Sequence, residues 1–489
     1  MAHLERRLGL LGLTATGICA MLGASINVVP FMVHRSVPGI GEYVMPAFIF
    51  AALPALMAAF AYGALASTMP RAGGSYLYAS RGLSPYLGFI ASFSQWFGLS
   101  IVIGVIAYVI VPFLRDIAAA LGWEGLAVAL ETGWIRVSVA LAMIWLFVGI
   151  NIRGLKLYAR TLVPMMFLMF ALGAIVIVAG FLFDHADFAA GLLDQDDRAV
   201  GPEPAAPFQW MTFLSAAALM FSSFIGFDAI AQAGGEARNP SRALPVAILL
   251  AIGTVGAFYF LFATAVYSAV PWWFVAEEAL ARDISAPGLL AYLLPAGLGA
   301  AILAGAAIAL INDLPAMLLA VSRLMFAWAE DGIFPGGVAR VHGRFHTPYV
   351  ALTLSGVISS IGVLGSHFAG DFFLGIDIMV TAMLVNFLLM CLTLLNLPRA
   401  NPELAEGMTV LRNRGPRLLI GGTGVVLLAG FLVIHVYKDL SGTVDAWYFH
   451  STWVWLLVMG LGSVVFFLRR ASLIRAGVDL RARFSQLPD

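Results

Sequence analysis

Charge is what this sequence has least of. Only 11% of the 489 residues are Asp, Glu, Lys or Arg, whereas 61% are hydrophobic. Soluble domains are about a quarter charged, so these few charges could not cover a soluble surface of this size. Lipid must therefore be the solvent for most of the chain. The formal net charge of zero also gives no electrostatic basis for a nucleic-acid partner.

Cysteine and the motifs of catalysis are equally scarce. Cys19 and Cys391 are the two cysteines, and both lie in apolar runs. We expect them to be packing residues rather than a disulfide pair. The sequence has no metal-ligand spacing, no nucleophile–base pair and no phosphate-binding glycine loop with its lysine. We therefore predict no catalytic residue, no metal, no cofactor and no enzymatic activity.

Long apolar runs are abundant. A bilayer-spanning helix needs about 20 apolar residues, and such runs follow one another along most of the chain. The sequence thus predicts an all-α integral membrane protein of about twelve transmembrane helices. We place them near residues 8–33, 43–68, 85–114, 134–152, 160–183, 208–232, 243–269, 287–312 (continuing as helix to about 329), 348–366, 372–397, 417–436 and 452–469.

The loop charges predict the orientation. With a cytoplasmic N-terminus and twelve spans, 21 of the 27 basic residues fall on the inner side. Basic residues accumulate in cytoplasmic loops. We therefore expect both termini in the cytoplasm and the protein in the cell (inner) membrane.

Helix-breaking residues interrupt two spans. Span 1 has Gly23, Ala24 and Ser25 between apolar halves, and span 6 has the stretch 222–226 (Ser-Ser-Phe-Ile-Gly). Transporters often contain inverted repeats whose broken helices form the binding site. Two sets of five spans would put spans 1 and 6 in matching positions. Close packing of small residues against neighbouring helices is the alternative explanation.

Four segments resemble the amino acid–polyamine–organocation superfamily of permeases. They are Gly17 to Pro30 (GICAMLGASINVVP), Tyr62 to Tyr78 (YGALASTMPRAGGSYLY), Phe221 to Pro245 (FSSFIGFDAIAQAGGEARNPSRALP) and Ser322 to Pro335 (SRLMFAWAEDGIFP). The resemblance implies a LeuT-like five-plus-five inverted repeat with two additional C-terminal helices. It divides the chain into a first repeat (1–183), an extracellular loop (184–207), an inverted second repeat (208–397), a cytoplasmic loop with spans 11 and 12 (398–470), and a basic cytoplasmic tail (471–489).

The resemblance also implies a substrate site at the two breaks. In the family, backbone N–H groups of the first helix bind the substrate carboxylate, and carbonyls of the sixth helix face its ammonium. Ser25, Ala24 and Asn27 replace a glycine, a serine and a phenylalanine of the first-helix motif, which leaves amines and modified amino acids open as substrates. The substrate-binding candidates are Gly23, Ala24, Ser25, Ile26, Asn27, Ser222, Ser223, Phe224 and Gly226.

Ionisable residues inside the spans are costly and need a reason. Asp313, with Asn312 beside it in span 8, is a candidate to couple Na⁺ or H⁺, and Asp228 of span 6 is a second candidate. Paired structural roles are the alternatives. A gate or structural role is expected for Glu236, Arg323 and Asp377, the last near an outer vestibule. The family motif has two acids in a row, and Gly235 replaces the first of them, next to Glu236.

The sequence thus favours an alternating-access secondary transporter of amino acids or related amines. An exchanger or exporter of amines or modified amino acids, and a non-transporting sensor of the same fold, stay open as alternatives. The expected partners are a small-molecule substrate and the lipid bilayer. The substrate, the coupling ion and the oligomeric state are left undetermined.

Overall fold

Twelve apolar helices build the molecule. A computed structural model describes residues 4, 6–369, 373–444 and 446–487, with the backbone alone for residues 24, 25, 296, 369, 373, 481 and 482. Within these ranges, 12 helices are long and apolar enough to cross a membrane. The prediction of an all-α membrane protein of about twelve spans is confirmed.

The spans have the following bounds. Span 1 consists of half-helices 1a (Leu10–Met21) and 1b (Ala24–Ser36). Spans 2 to 5 are Val44–Thr68, Pro85–Ala120, Gly133–Ile152 and Leu155–Leu182. Span 6 runs from helix Trp210–Met220 through the 3₁₀ turn Phe221–Phe224 to helix Ala229–Gln232. Spans 7 to 12 are Pro240–Ala269, Ala296–Glu330, Tyr349–Ala369, Phe373–Ala400, Arg414–Ser441 and Ser451–Arg475.

Shorter elements connect the spans. The α-helices among them are Gly74–Gly82, Glu124–Glu131, His185–Asp196, Trp272–Ala281, Ala286–Leu290, Pro402–Glu406 and Leu480–Ser485. The 3₁₀ turns are Gly41–Tyr43, Gly234–Glu236, Gly336–Ala339 and Trp447–Phe449. We call the side of the bundle where Leu10 begins span 1 and Arg475 ends span 12 the terminal face, and the other side the opposite face.

One predicted boundary is wrong. Span 8 begins at Ala296 and not near 287, because a separate helix, Ala286–Leu290, precedes it and Pro295 stands at its N-cap. Proline is tolerated at the start of a helix, where the N–H group that it lacks would be unpaired anyway. The segment between spans 5 and 6 contains the helix His185–Asp196. Asp184 caps this helix, because its Oδ1 accepts hydrogen bonds from the backbone N–H groups of Ala186 (2.8 Å) and Asp187 (3.0 Å).

Span 3 lies in the middle of the bundle, where it contacts spans 8, 9 and 10. Glycine makes the crossing with span 9 possible. A Cβ on Gly104 would overlap the backbone carbonyl of Ser359 and approach the backbone N of Val363 to 2.5 Å in span 9. Small residues at helix crossings let backbones approach closely in membranes. Span 3 is therefore held by its neighbours on several sides.

Lipid-facing surface lies mainly on the outer spans. Leu146 of span 4, Phe167 of span 5, Val433 of span 11 and Leu461 of span 12 are each more than half exposed. Many large apolar side chains exposed together make a surface that suits hydrocarbon rather than water. Spans 1, 3, 6, 8 and 10 are the more deeply buried ones, and they surround the site described below.

We predict that Gly104→Val destabilises the fold, because the added side chain would push span 9 away from span 3. Overpacking of this kind costs about 1–3 kcal/mol. Thermal unfolding of the purified protein in detergent measures the effect. Gly253→Val in span 7 is the matched control, since a Cβ on Gly253 meets nothing within 4 Å. Equal melting temperatures for the two variants would contradict the proposed crossing.

Candidate functional site

The break in span 1 falls at Leu22 and Gly23. Helix 1a ends at Met21, and helix 1b begins at Ala24 without a side-chain cap. The carbonyls left open by the break find partners. Tyr259 of span 7 donates its hydroxyl hydrogen to the Met21 carbonyl, and Asn27 Nδ2 donates to the Gly23 carbonyl at 3.4 Å. The N-terminal end of helix 1b thus presents backbone N–H groups at the centre of the bundle.

The break in span 6 lies beside the first one. After the turn Phe221–Phe224, the chain becomes extended at Ile225, and Gly226 has φ +137°. A Cβ on Gly226 would overlap the backbone carbonyl of Ala20. Only glycine allows both this backbone angle and this approach. The two breaks predicted from sequence therefore meet in space.

Asp313 joins span 8 to the first break. Its side chain is 2% exposed, and a Cβ on Gly23 would overlap its carboxylate. Negative charge is favoured near a helix N-terminus, and helix 1b begins one residue later. The neighbouring Asn312 points elsewhere: its Nδ2 lies 2.9 Å from Cys19 Sγ and 3.4 Å from Met169 Sδ. Its Oδ1 is buried and has no hydrogen-bond partner among the described residues.

Asp228 belongs to a buried polar network on the other side of the break. Its Oδ1 accepts from the Gly226 backbone N–H at 3.1 Å, and its Oδ2 accepts from Gln95 Nε2 of span 3. Ser75 donates to Gln95 Oε1 at 2.6 Å and accepts from Gln232 Nε2 at 2.7 Å. These bonds tie the irregular part of span 6 to span 3 and to the helix Gly74–Gly82.

The network also reaches spans 2 and 10. The Tyr62 hydroxyl lies 2.7 Å from Ser75 Oγ, and the same hydroxyl accepts a hydrogen bond from Asn386 Nδ2 at 2.7 Å. Such a network stabilises one arrangement of the helices when its members are paired. Within the described residues, the donors to Asp228 are a neutral amide and a backbone N–H. Asp228 therefore holds the break in shape without a cationic partner.

A central cavity of about 40 Å³ lies between the two breaks and spans 3, 8 and 10. One buried water needs roughly 10–15 Å³, so the cavity in this conformation has room for about three. Two lining side chains are polar, Ser222 and Asp313. The other lining residues are Ala20, Val28, Val29, Val102, Val105, Ile106, Val109, Ile225, Met317, Ile376 and Met379.

The predicted substrate residues are divided by the structure. Ser222 lines the cavity, and its buried hydroxyl has no hydrogen-bond partner among the described residues. Ile26 and Asn27 line a separate cleft toward spans 5, 7 and 8. Phe224 packs on the rings of Phe48 and Tyr259, with centroids 5.3 and 5.8 Å away.

Three further residues predicted to bind substrate lie at the two breaks. Ser223 is fully buried, and its hydroxyl is also without a hydrogen-bond partner among the described residues. The backbone of Ala24 and Ser25 begins helix 1b, but their side chains lie outside the described part of the chain. The roles predicted for these positions stay predictions.

The aliphatic wall of the cavity was missed by sequence reasoning. Its span 3 part, Val102, Val105, Ile106 and Val109, follows helical spacing along one face. In a hydrophobic span, aliphatic residues face lipid and cavity alike, so composition gave no signal. The structure shows that Gly375 of span 10 lies against this wall, because a Cβ on Gly375 would overlap Val105.

The terminal side of the site is closed by a buried ion pair. Arg323 Nη2 lies 2.5 Å from Glu236 Oε1, and Arg323 Nε lies 3.1 Å from Glu236 Oε2. Both side chains are 0–1% exposed. The pair links the end of span 6 to span 8. Nearby, Leu8 exchanges backbone hydrogen bonds with Glu236 (2.9 Å) and Arg238 (2.8 Å), which ties the chain before span 1 to the same place.

A second buried ion pair lies nearer the terminal face. Arg81 Nη1 is 2.6 Å from Asp331 Oδ2, and its Nη2 is 3.1 Å from Oδ1. The end of the chain covers this pair: Arg81 Nε donates to the Gln486 carbonyl at 3.1 Å, and the Phe484 ring lies 5.4 Å from the guanidinium carbon. The C-terminal residues therefore pack on the bundle.

On the opposite side, the short helices Trp272–Ala281 and Ala286–Leu290 contact helix 1b. Tyr267 of span 7 donates to the Pro30 carbonyl at 2.7 Å, and Arg35 pairs with Asp283 at 2.7 Å. Glu278 accepts from Arg198 at 2.5 Å, and this hydrogen bond raises the pKa of Arg198. Asp377 is half-buried in span 10, where its backbone carbonyl accepts from Thr381 at 3.0 Å.

Among the described residues, no group of three or more His, Cys, Asp and Glu side chains could hold a metal ion. The arrangement is instead two broken helices that meet around an apolar cavity, between ion pairs on one side and short helices on the other. Such a site, in a bundle of twelve apolar spans, defines a multi-pass membrane transporter.

The comparisons with known proteins identify the family. The profile of the family described as amino acid permease matches residues 8–463. The chain therefore belongs to the amino acid permease family, as the motif resemblance predicted.

The relatives differ in substrate. A methylthioribose transporter from Bacillus subtilis (strain 168) is 26% identical and aligns over 96% of this chain and 95% of its own. The branched-chain amino acid permease BcaP from the same organism is 27% identical over 74% of this chain and 75% of its own. The low-affinity putrescine importer PlaP of Escherichia coli (strain K12) is 25% identical over 73% and 72%.

We predict that Arg323→Met strongly destabilises the protein, because Glu236 would keep a buried charge without a partner. Removing one partner of a buried pair costs about 3–5 kcal/mol. Thermal unfolding in detergent measures the loss, and the double variant Arg323→Met/Glu236→Gln should recover most of it.

The control for this prediction is Arg115→Met. Arg115 pairs with Asp116 on the surface, where both side chains are more than a third exposed. Exposed pairs contribute about 0–1 kcal/mol. An Arg323→Met variant as stable as Arg115→Met would contradict a structural role for the buried pair.

Proposed function

We propose that this protein is a secondary transporter of amino acids or closely related amines that works by alternating access and is coupled to an ion at Asp313. The observation that carries the proposal is the position of Asp313. Its carboxylate lies against Gly23 at the break of span 1 and lines the same cavity as Ser222 of span 6. One carboxylate thus links span 8, the first break and the substrate space.

The two breaks supply the groups that bind an amino-acid head. Backbone N–H groups at the start of helix 1b, with the positive end of the helix dipole, suit a carboxylate. Carbonyl groups of the irregular stretch around Ser222 suit an ammonium. In this conformation the cavity has room for about three waters, which is less than an amino acid with a side chain of leucine size needs. The surrounding spans must therefore move apart when substrate enters.

Alternating access requires each side of the site to open in turn. The Glu236–Arg323 pair closes one side and would have to separate there, whereas the contacts of Tyr267 and Arg35 close the other. Because the pair is buried, the closed state is stable only while each charge has the other as its partner. These contacts are gates in the proposed cycle.

Two coupling ions fit Asp313. Hard cations prefer oxygen ligands, and a carboxylate beside the free backbone groups of a break supplies them, so Na⁺ is one candidate. A buried carboxylate can also gain and lose a proton during the cycle, so H⁺ is the other. Asp228 is the less suitable coupling site, because its carboxylate oxygens are already occupied by Gln95 and the Gly226 backbone.

The relatives support the substrate range. Their names assign methylthioribose, branched-chain amino acids and putrescine to three of them. An exchanger or exporter of amines or modified amino acids fits the same fold, and a substrate sensor would bind without transport. Solute movement in reconstituted vesicles separates these: a sensor moves none, and an exchanger moves label only against solute on the other side.

The coupling proposal is tested with Asp313→Asn in proteoliposomes. The wild-type protein should accumulate one of a panel of labelled amino acids and amines, driven by a Na⁺ or a proton gradient. The variant should lose the ion dependence because the ionisable group is gone, while exchange of label across the membrane persists. Asp116→Asn, the same change at a surface residue of span 3 away from the cavity, is the control. Unchanged ion dependence in Asp313→Asn would refute the assignment.

The terminal face is proposed to be cytoplasmic, in the cell membrane. Both native cysteines are buried, so a cysteine introduced on the surface is the accessible thiol. We predict that a membrane-impermeant maleimide labels Asp194→Cys in intact cells and labels Arg412→Cys only after permeabilisation. Both positions are exposed, on the opposite and terminal sides respectively. The reverse labelling pattern would invert the orientation.

A further inference from the structure

The wall of the central cavity points to the kind of side chain that the substrate carries. We propose that the substrate is a neutral α-amino acid with an apolar side chain, an inference that rests on the proposed transport function. Apart from Ser222 and Asp313, the residues that line the described cavity are aliphatic or methionine. Span 3 contributes Val102, Val105, Ile106 and Val109, and span 10 contributes Ile376 and Met379.

The cavity has polar and apolar contributors from different spans. The polar groups come from spans 6 and 8 next to the breaks: the Ser222 hydroxyl, buried without a hydrogen-bond partner among the described residues, and the Asp313 carboxylate. The four span 3 residues that line the cavity are all apolar. An amino acid matches this division, because its charged head needs the breaks and an aliphatic side chain needs only an apolar wall.

Charge matching excludes a second positive charge on the substrate. The head of an α-amino acid is neutral overall, so it brings no net charge into the cavity. A cationic amino acid or a diamine would bring one more ammonium group. The lining of spans 3 and 10 offers it neither a carboxylate nor a side-chain oxygen. Burying an unpaired charge in such a wall is strongly unfavourable.

A polyhydroxylated substrate fits equally poorly. Each buried hydroxyl needs a hydrogen-bond partner. Among the described lining side chains, Ser222 and Asp313 are the two that could supply one. Several hydroxyl groups would therefore remain without partners in the aliphatic part of the cavity. The same wall that accepts a branched hydrocarbon side chain rejects a sugar.

Val105 is the position best placed to set the size of that side chain. It is 4% exposed and lies where Gly375 lets span 10 approach, since a Cβ on Gly375 would overlap its Cγ2 atom. Shortening Val105 enlarges the cavity without adding a polar group. Volume in an apolar pocket discriminates between substrates that differ by a methylene group by about tenfold or more.

The first test is counterflow in proteoliposomes of the wild-type protein, which needs no ion gradient. Vesicles loaded with unlabelled leucine take up labelled leucine, and lysine, putrescine and ribose are assayed in the same way. We expect leucine counterflow and at least about tenfold less for the other three. Counterflow of lysine, putrescine or ribose without leucine overturns the inference and leaves transport intact. No counterflow of any probe by correctly inserted protein contradicts the proposed function, and the inference with it.

The second test is Val105→Ala. We expect the ratio of the half-inhibitory concentrations of phenylalanine and valine, measured against leucine counterflow, to shift by about tenfold toward phenylalanine. Val178→Ala, the same substitution at a position of span 5 that is 56% exposed to lipid, should leave the ratio unchanged.

Val102→Ala, on the same face one turn earlier, gives the same test if Val105→Ala does not fold. An unchanged ratio in a folded cavity variant, or an equal shift in Val178→Ala, would contradict the assignment of this wall to the substrate side chain.

Discussion

The whole site depends on satisfying backbone polar groups where two helices break inside hydrocarbon. Unpaired N–H and C=O groups cannot face lipid, so irregular backbone persists only when buried in protein or lining a cavity. Here the breaks are placed against each other, with Gly226 packed on the Ala20 carbonyl. Tyr259, Asn27 and Asp228 then bond the freed groups. The backbone groups that these partners do not bond, at the start of helix 1b and around Ser222, are the ones that the proposed function assigns to the polar head of the substrate.

Two buried ion pairs stand out in a chain with so few charged residues. Glu236–Arg323 and Arg81–Asp331 are both two-pronged and almost fully buried, and both lie between the cavity and the terminal face. Matched pairs are tolerated in a low dielectric, whereas single charges are not. The charges within the described spans therefore do not stabilise the bundle in a general way. They hold particular helix ends together, which are the ends that the proposed alternating access would have to separate.

The polar and apolar parts of the cavity have different origins. The polar part comes from Ser222 at the break of span 6 and from the Asp313 carboxylate of span 8, which lies against Gly23 at the break of span 1. The apolar part is a set of ordinary aliphatic side chains on spans 3 and 10. Relatives with methylthioribose, branched-chain amino acids and putrescine in their names share about a quarter of their residues with this chain. In the proposed function, the polar part binds the head of the substrate and the apolar wall contacts its side chain.

The sequence by itself determined the class of protein, because hydrophobic length and charge scarcity follow directly from the bilayer as solvent. It also located both breaks and the residues Asp313, Glu236 and Arg323, since glycine, serine and charge inside apolar runs stand out against their surroundings. Only the tertiary structure decided which of these residues meet. It placed the Asp313 carboxylate against Gly23 and made Ile26 and Asn27 line a separate cleft. It also brought Val102, Val105 and Ile376 to the wall of the cavity. The physical reason is that an aliphatic residue in a membrane span is equally stable against lipid, a neighbouring helix or a substrate, so its role depends on the direction it faces.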